Sequence, residues 1–338
     1  MTSSSHAMTD RGHRPMPILI ETDLCDDVDD AGAIAVAHAL ADRGLVEILG
    51  IGINTSGHWS HSAARVLNDY YGRAEIPVGI RHPITDGIGP EDYARAISRM
   101  HPHAATPDVM PDAVAVLREA LAGADDGTVT VVSIGYFGNL VALLDTPADA
   151  LSALSGRELV ATKVARAVVM GGVFGTRARP HLGAEPLAET NFAHEPGHTA
   201  RFLAEWPSPV DFVGWETAAD VITGRTLSAT QGDDSPVAIA YSLHSGKGNG
   251  RPSWDLLAVM LAAGELDGRV ALSGPGTVSL DEAAGTLWAP SASGRHRYAV
   301  TVVGPEELSG LIDDHLGRPP LAGAWGSIRQ ETELDVWR

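Results

Sequence analysis

Six carboxylates fall within thirteen residues in ETDLCDDVDDAGA (21–33), directly after the apolar run PILI. Glu21, Asp23, Asp26, Asp27, Asp29 and Asp30 repel one another unless something positive sits among them. Their oxygens in a tight loop suit a hard cation such as Ca2+ or Mg2+. A solvated acidic helix start is the other reading, because aspartate is favoured near helix N-termini. Two familiar acidic motifs do not account for the loop. An EF-hand beginning at Asp23 would have Val28 and Ile34 where glycine and the bidentate glutamate are required. A phosphatase strand ending in D-x-D needs an aspartate nucleophile where this chain has Glu21.

The elements that must position this loop are legible as alternating strands and helices. Short β-branched runs recur at 17–22, 46–54, 76–80, 129–136, 165–172 and 209–216, and RHRYAVTVV (295–303) supplies a late strand. Helical stretches at 30–42, 61–72, 112–123 and 197–206 lie between several of them. That alternation predicts an α/β fold with an open, mainly parallel doubly wound sheet. Ligands of such sheets bind outside the carboxyl ends of the strands, and the acidic loop sits at one such end. Residues 225–254 mix a helical stretch with a Gly-rich loop, consistent with insertions over the site. The expected organisation is a polar, disordered tail over 1–16 and a single domain over 17–338.

Composition narrows the partners. The chain has 338 residues, 44% of them hydrophobic, enough to bury a large core. Its 24 basic against 43 acidic residues give a net charge of −19, which argues against a nucleic-acid polymer or an anionic membrane surface as partner. The only cysteine is Cys25, so neither an intrachain disulfide nor a thiolate metal cluster can form from one chain, and a reducing cytoplasm fits best. No signal peptide or bilayer-spanning segment is expected.

IETDLCDDVDDAGAIA resembles the signature of the inosine–uridine preferring nucleoside hydrolase family. Further landmarks of that family follow in order as SIGYFGNLVALL (133–144), VVMGGVF (168–174), AETNF (188–192) and RPSWDLLAV (251–259). The resemblance implies the family's fold and a Ca2+-dependent cleavage of the N-glycosidic bond of ribonucleosides, releasing free base and ribose in nucleoside catabolism or purine and pyrimidine salvage. It implies Asp23 as metal ligand and as the base that activates a metal-bound water. Asp30, Asp255 and the backbone carbonyl of Gly138 would be further ligands, and Asp29 the partner of a ribose hydroxyl. Glu189 and Asn191, spaced to point the same way along an extended segment, would clamp the ribose. Homodimers or homotetramers are usual in the family.

The pattern departs from the family on the base side. Trp254 stands where relatives have a histidine thought to protonate the leaving base; indole cannot do so but can stack on a planar heterocycle or simply fill the core. His58, near a sugar-contacting asparagine of relatives, is a candidate for the missing acid because histidine titrates near neutrality; a structural role is the alternative. His61, His181, His194 and His244 are not separable. Asp26 and Asp27 are extra residues that compete with the assigned aspartates, Glu21 replaces an aspartate behind the ligands, and Arg177 and Arg179 lie where relatives meet the ribose 5′ end. Three functions follow: a nucleoside hydrolase, a hydrolase of another N-ribosyl compound, and a non-catalytic nucleoside- or ribose-binding protein.

Overall fold

The computed structural model describes residues 14–25, 27–85, 92–100, 110–175 and 188–321. The chain opens with β1 (Met16–Thr22), α1 (Asp29–Asp42), β2 (Val46–Ile53), α2 (His58–Tyr70), β3 (Val78–Ile80), α3 (Asp92–Ser98) and α4 (Ala113–Gly123). It continues through β4 (Val129–Ile134), α5 (Gly138–Leu144), α6 (Gly156–Lys163), β5 (Val164–Met170), α7 (Thr190–His194), α8 (Pro196–Glu205) and β6 (Val210–Val213). A run of short elements follows: α9 (Trp215–Ala218), β7 (Ile222–Thr223), α10 (Leu227–Thr230), α11 (Pro236–Ser245) and β8 (Arg251–Pro252). The chain ends in α12 (Trp254–Ala262), β9 (Val270–Leu272), β10 (Gly276–Leu280), β11 (Thr286–Pro290), β12 (His296–Thr301) and α13 (Pro305–Leu316).

Ten strands form one sheet in the order β11-β10-β12-β6-β5-β4-β1-β2-β3, with β9 paired to β12. The seven strands from β12 to β3 run parallel, and β9, β10 and β11 add antiparallel pairs at the far end. This is the predicted α/β architecture with a hairpin added. The β10–β11 pair was not foreseen, because its strands alternate buried and exposed residues at one edge and lack the long apolar runs of the parallel strands.

Side-chain alternation divides the core between the two faces of the sheet. Ile18 and Ile20 of β1 join a core built with α1, α2, α11, α12 and α13, whereas Leu19 joins the core under α4, α5, α6 and α8. The chain leaves β1 in one direction to β2 and in the other to β4. That reversal opens a crevice at the carboxyl ends of β1 and β4, where doubly wound sheets bind ligands. Met16, assigned to the tail from sequence, already pairs with Val46 of β2; residues 1–13 lie outside the described residues. Among the described residues no helix is long and apolar enough to cross a membrane.

Candidate functional site

The crevice is a cavity of about 380 Å³ bordered by the acidic loop, the ends of β4 and β5, the start of α7, and the segments around Trp215 and Trp254. Its floor is carboxylate. One oxygen each from Asp29, Asp30 and Asp255 lies within 4.8 Å of the others, and all three residues are buried. Asp29 and Asp30 form the first turn of α1, Asp255 that of α12, so the helix dipoles favour negative charge there. The Asp255 backbone N–H donates to Asp29 Oδ2 at 3.1 Å. Thr22 Oγ1 and the Leu24 N–H donate to Asp30 Oδ1. Leu24 takes a positive φ of 43°, a conformation uncommon outside glycine, as the chain turns between Asp23 and Cys25.

Burial, reinforced by the neighbouring carboxylates, raises all three acids well above the usual carboxylate range. Asp23 adds to the charge felt by Asp30 and Asp255. Among the described residues no Lys, Arg or His forms an ion pair with Asp29, Asp30 or Asp255. Three desolvated carboxylates without a cationic partner are the donor set of a hard dication. The fit is therefore good for a divalent metal.

Behind this floor lies a further buried acid. Glu21 accepts from Asn139 Nδ2 at 3.2 Å and from Asn54 Nδ2 at 3.4 Å; burial pushes its carboxyl up to about 8, the two amides opposing the rise. Asn54 Oδ1 in turn accepts from the Tyr136 N–H, and Thr55 Oγ1 donates to the Asp23 carbonyl. Gly135 permits this closeness, since a Cβ there would lie 2.6 Å from the Asp23 nitrogen.

Glu189 and Asn191 also border the cavity. Glu189 is the N-cap of α7: its carboxylate accepts from the N–H groups of Asn191, Phe192 and Gly172 at 2.8–3.1 Å. Burial nonetheless raises it to about 7, with those donors opposing. Asn191 Nδ2 donates to the Met170 carbonyl at 3.2 Å. On the aromatic wall, Trp254 Nε1 donates to the Trp215 carbonyl at 2.7 Å, and the two indole centroids lie 6.0 Å apart. Arg251 lies 5.5 Å from the centre of the Trp254 ring and grips Asp27 through Nε and Nη2 at 2.9 and 2.6 Å.

The model of the inosine-uridine preferring nucleoside hydrolase family matches residues 18–314. The chain belongs to that family. Its members are N-glycosidases, and the chain is an enzyme of that class. Similar solved structures include the inosine-uridine preferring nucleoside hydrolase from Bacillus anthracis, with TM-score 0.63 and 17% identity over 89% of this chain and 99% of that one. The purine-preferring ribonucleoside hydrolase from Gardnerella vaginalis gives TM-score 0.62 and 19% identity over 89% and 98%. The type III effector protein XopQ, solved with adenosine diphosphate ribose, gives 0.59 and 17% over 90% and 94%. At such identities these likenesses speak for the fold. No curated protein matches the chain.

Asp23, Asp29, Asp30, Asp255, Glu189, Asn191 and Trp254 all border the one cavity. Asp29 groups with Asp30 and Asp255, and Asp23, expected as a ligand with the latter two, stands against Asp30 in the same cavity. Two expected residues fall elsewhere. Gly138 is the first residue of α5 and does not border the cavity; a Cβ on it would meet Glu195 and Arg81. Ile134, at the end of β4, borders the cavity instead. His58 begins α2, half-exposed, with Nδ1 3.2 Å from the Thr85 carbonyl and its ring against Trp59, away from the cavity. Glu189 and Asn191 sit at a helix start rather than along an extended segment, and both border the cavity.

Asp27 is held by Arg251, and its carboxylate also stands against that of Asp29. His61 is buried against the Val78 carbonyl, His194 stacks on Tyr136 at 3.8 Å, and His244 approaches Asp27 at 3.9 Å. Asp26, Arg177, Arg179 and His181 lie outside the described residues. Arg251, Trp215 and Tyr136 were missed. Arg251 stands in RPSWD, three residues before a singled-out tryptophan, and only the three-dimensional pairing with Asp27 marks it out.

Proposed function

We propose that the chain hydrolyses the N-glycosidic bond of ribonucleosides, or of related N-ribosyl compounds, with Ca2+ as its metal. The observation that carries this reading is the convergence of Asp29, Asp30 and Asp255 within 4.8 Å in the same cavity as Glu189 and Asn191, in a chain of this family. Asp30, Asp255 and Asp23 would hold the ion, with Asp29 beside them and the main-chain carbonyl of Ile134 in the place expected of Gly138. When bound, the ion offsets the carboxylate repulsion and lowers the pKa of a water molecule.

Asp23 takes the proton of the attacking water on a carboxylate oxygen. Asp29, Glu189 and Asn191 accept and donate to ribose hydroxyls and fix the sugar. The buried carboxylates stabilise the positive charge that develops on the ribose as the bond to the base lengthens. Trp254, its ring fixed by the bond to Trp215, offers a face to the base. Because a protein of the same fold was solved with adenosine diphosphate ribose, N-ribosyl compounds other than plain nucleosides belong among the substrates to test. A reducing cytoplasm suits the single cysteine, and assembly as a homodimer or homotetramer goes with the family reading.

The test is release of free base and reducing sugar from a panel of nucleosides and N-ribosyl compounds, with Ca2+ and with chelator. Chelator-sensitive release supports the hydrolase. Calorimetric binding of Ca2+ and ribose with no release from any compound would turn the reading to the non-catalytic binding protein.

A further inference from the structure

We propose that Arg251 supplies the positive charge that receives the departing base, in place of a proton donor. This rests on the hydrolase reading. A base leaving ribose takes the electron pair of the C1′–N bond and needs either a proton or a cation nearby. Trp254 cannot give the proton: its one N–H is committed to the Trp215 carbonyl at 2.7 Å. His58 stands outside the cavity. Arg251 is the one cationic residue among the described residues that border it.

The guanidinium is held in place from two sides. Asp27 fixes Nε and Nη2, and Asp27 is itself anchored by the Tyr93 hydroxyl, which donates to its carbonyl at 2.6 Å. The Trp254 ring lies 5.5 Å from Cζ, within cation–π range. Nη1 makes no hydrogen bond among the described residues, which leaves two N–H groups for a substrate. A base stacked on Trp254 would therefore lie beside a preorganised donor fork. Such a fork suits a heterocycle bearing a carbonyl oxygen or ring nitrogen that becomes anionic on departure.

The step balances without a further reagent. The C1′–N bond breaks with its electron pair going to the base; water oxygen bonds C1′; the water proton goes to Asp23. The base leaves as an anion paired with Arg251 and takes its proton from solvent after release.

The experiment compares the wild-type enzyme with Arg251→Met and Arg251→Lys in saturating Ca2+. Substrates are ribosides whose leaving groups span a range of acidity, from inosine to p-nitrophenyl riboside, and Ca2+ affinity is followed by calorimetry. Arg251→Met is expected to lose on the order of a hundred-fold in kcat on inosine and only a few-fold on p-nitrophenyl riboside, so that rate depends more steeply on leaving-group acidity. Arg251→Lys, which keeps a cation beside Asp27, recovers part of the loss with Ca2+ affinity unchanged. An equal loss on every leaving group, or none, overturns the role of Arg251 while leaving the hydrolase standing. Absence of turnover by the wild-type enzyme on the whole series overturns both.

Discussion

Gly52 and Glu21 share one space, and a methyl group tests whether that space matters. A Cβ on Gly52 would lie 1.7 Å from Glu21 Oε1 and 2.8 Å from its Cδ. Both residues belong to paired strands and Glu21 is fully buried, so the carboxyl of Glu21 must move in Gly52→Ala. Overpacking a core site costs about 1–3 kcal/mol. Moving the carboxyl also weakens its bonds from Asn139 and Asn54, each worth about 0.5–1 kcal/mol net. The expected loss is about 2–4 kcal/mol, a large part of the roughly 5–15 kcal/mol that stabilises a domain. Glu21→Asp shortens the side chain by one methylene and vacates the contested volume. The double variant Gly52→Ala with Glu21→Asp should therefore be more stable than the sum of the single losses by about 1–2 kcal/mol. Urea denaturation at a common m-value measures this, and nucleoside turnover should follow, because Asn54 also holds the Tyr136 N–H at the cavity. A Gly52→Ala variant within about 0.5 kcal/mol of wild type, or strictly additive losses, would refute the reasoning.

Asp23→Asn should abolish turnover while keeping most of the Ca2+ affinity, and Asp255→Ala should weaken Ca2+ and ribose binding together; calorimetry beside a base-release assay separates the two. Trp254→Ala should cost about 1–3 kcal/mol in kcat/KM through lost stacking, with Ca2+ affinity unchanged. In chelator, stability should fall as pH rises: Glu21 is held from 4.5 up to about 8 by burial, so the folded state keeps a proton that the unfolded chain releases. Its contribution is fully present below about 4.5 and gone by about 8, on the order of 5 kcal/mol. Glu21→Gln should flatten that part of the urea midpoint against pH, and an unchanged slope would show that Glu21 is not the titrating group.

What the sequence revealed and what it hid follow from the range of the interactions. The acidic loop was legible because strand, loop and helix start are contiguous, so the run PILIET ends where its carboxylates must emerge. Asp255 was legible only through an ordered set of landmarks, since nothing local brings residue 255 beside residue 30. The carbonyl expected of Gly138 rested on the resemblance alone, and no local pattern tells it from the carbonyl of Ile134, which ends β4 at the cavity while Gly138 begins the next helix. Glu189 has a local role that the spacing hid: an acidic side chain ahead of Asn191 can also cap a helix, and three backbone donors make it the N-cap of α7 while it borders the cavity. Arg251 was invisible because its partner, Asp27, is 224 residues away.

The pairing of Arg251 with Asp27 also bears on the carboxylate set proposed to hold the metal. Asp27 lies in the same cavity as Asp29 and Asp30, and a free carboxylate there would add a competing ligand and raise the repulsion that Asp29 already feels from it. Arg251 neutralises that carboxylate at 2.6 Å and so leaves Asp29, Asp30 and Asp255 as the set without a cation. The extra aspartate becomes the support of a guanidinium on the aromatic wall. Removing Arg251 would then act at both places, releasing Asp27 toward the metal set as it removes charge from the base side. On the proposed mechanism a riboside with a good leaving group separates the two effects, because its departure would draw on the metal set and not on the guanidinium.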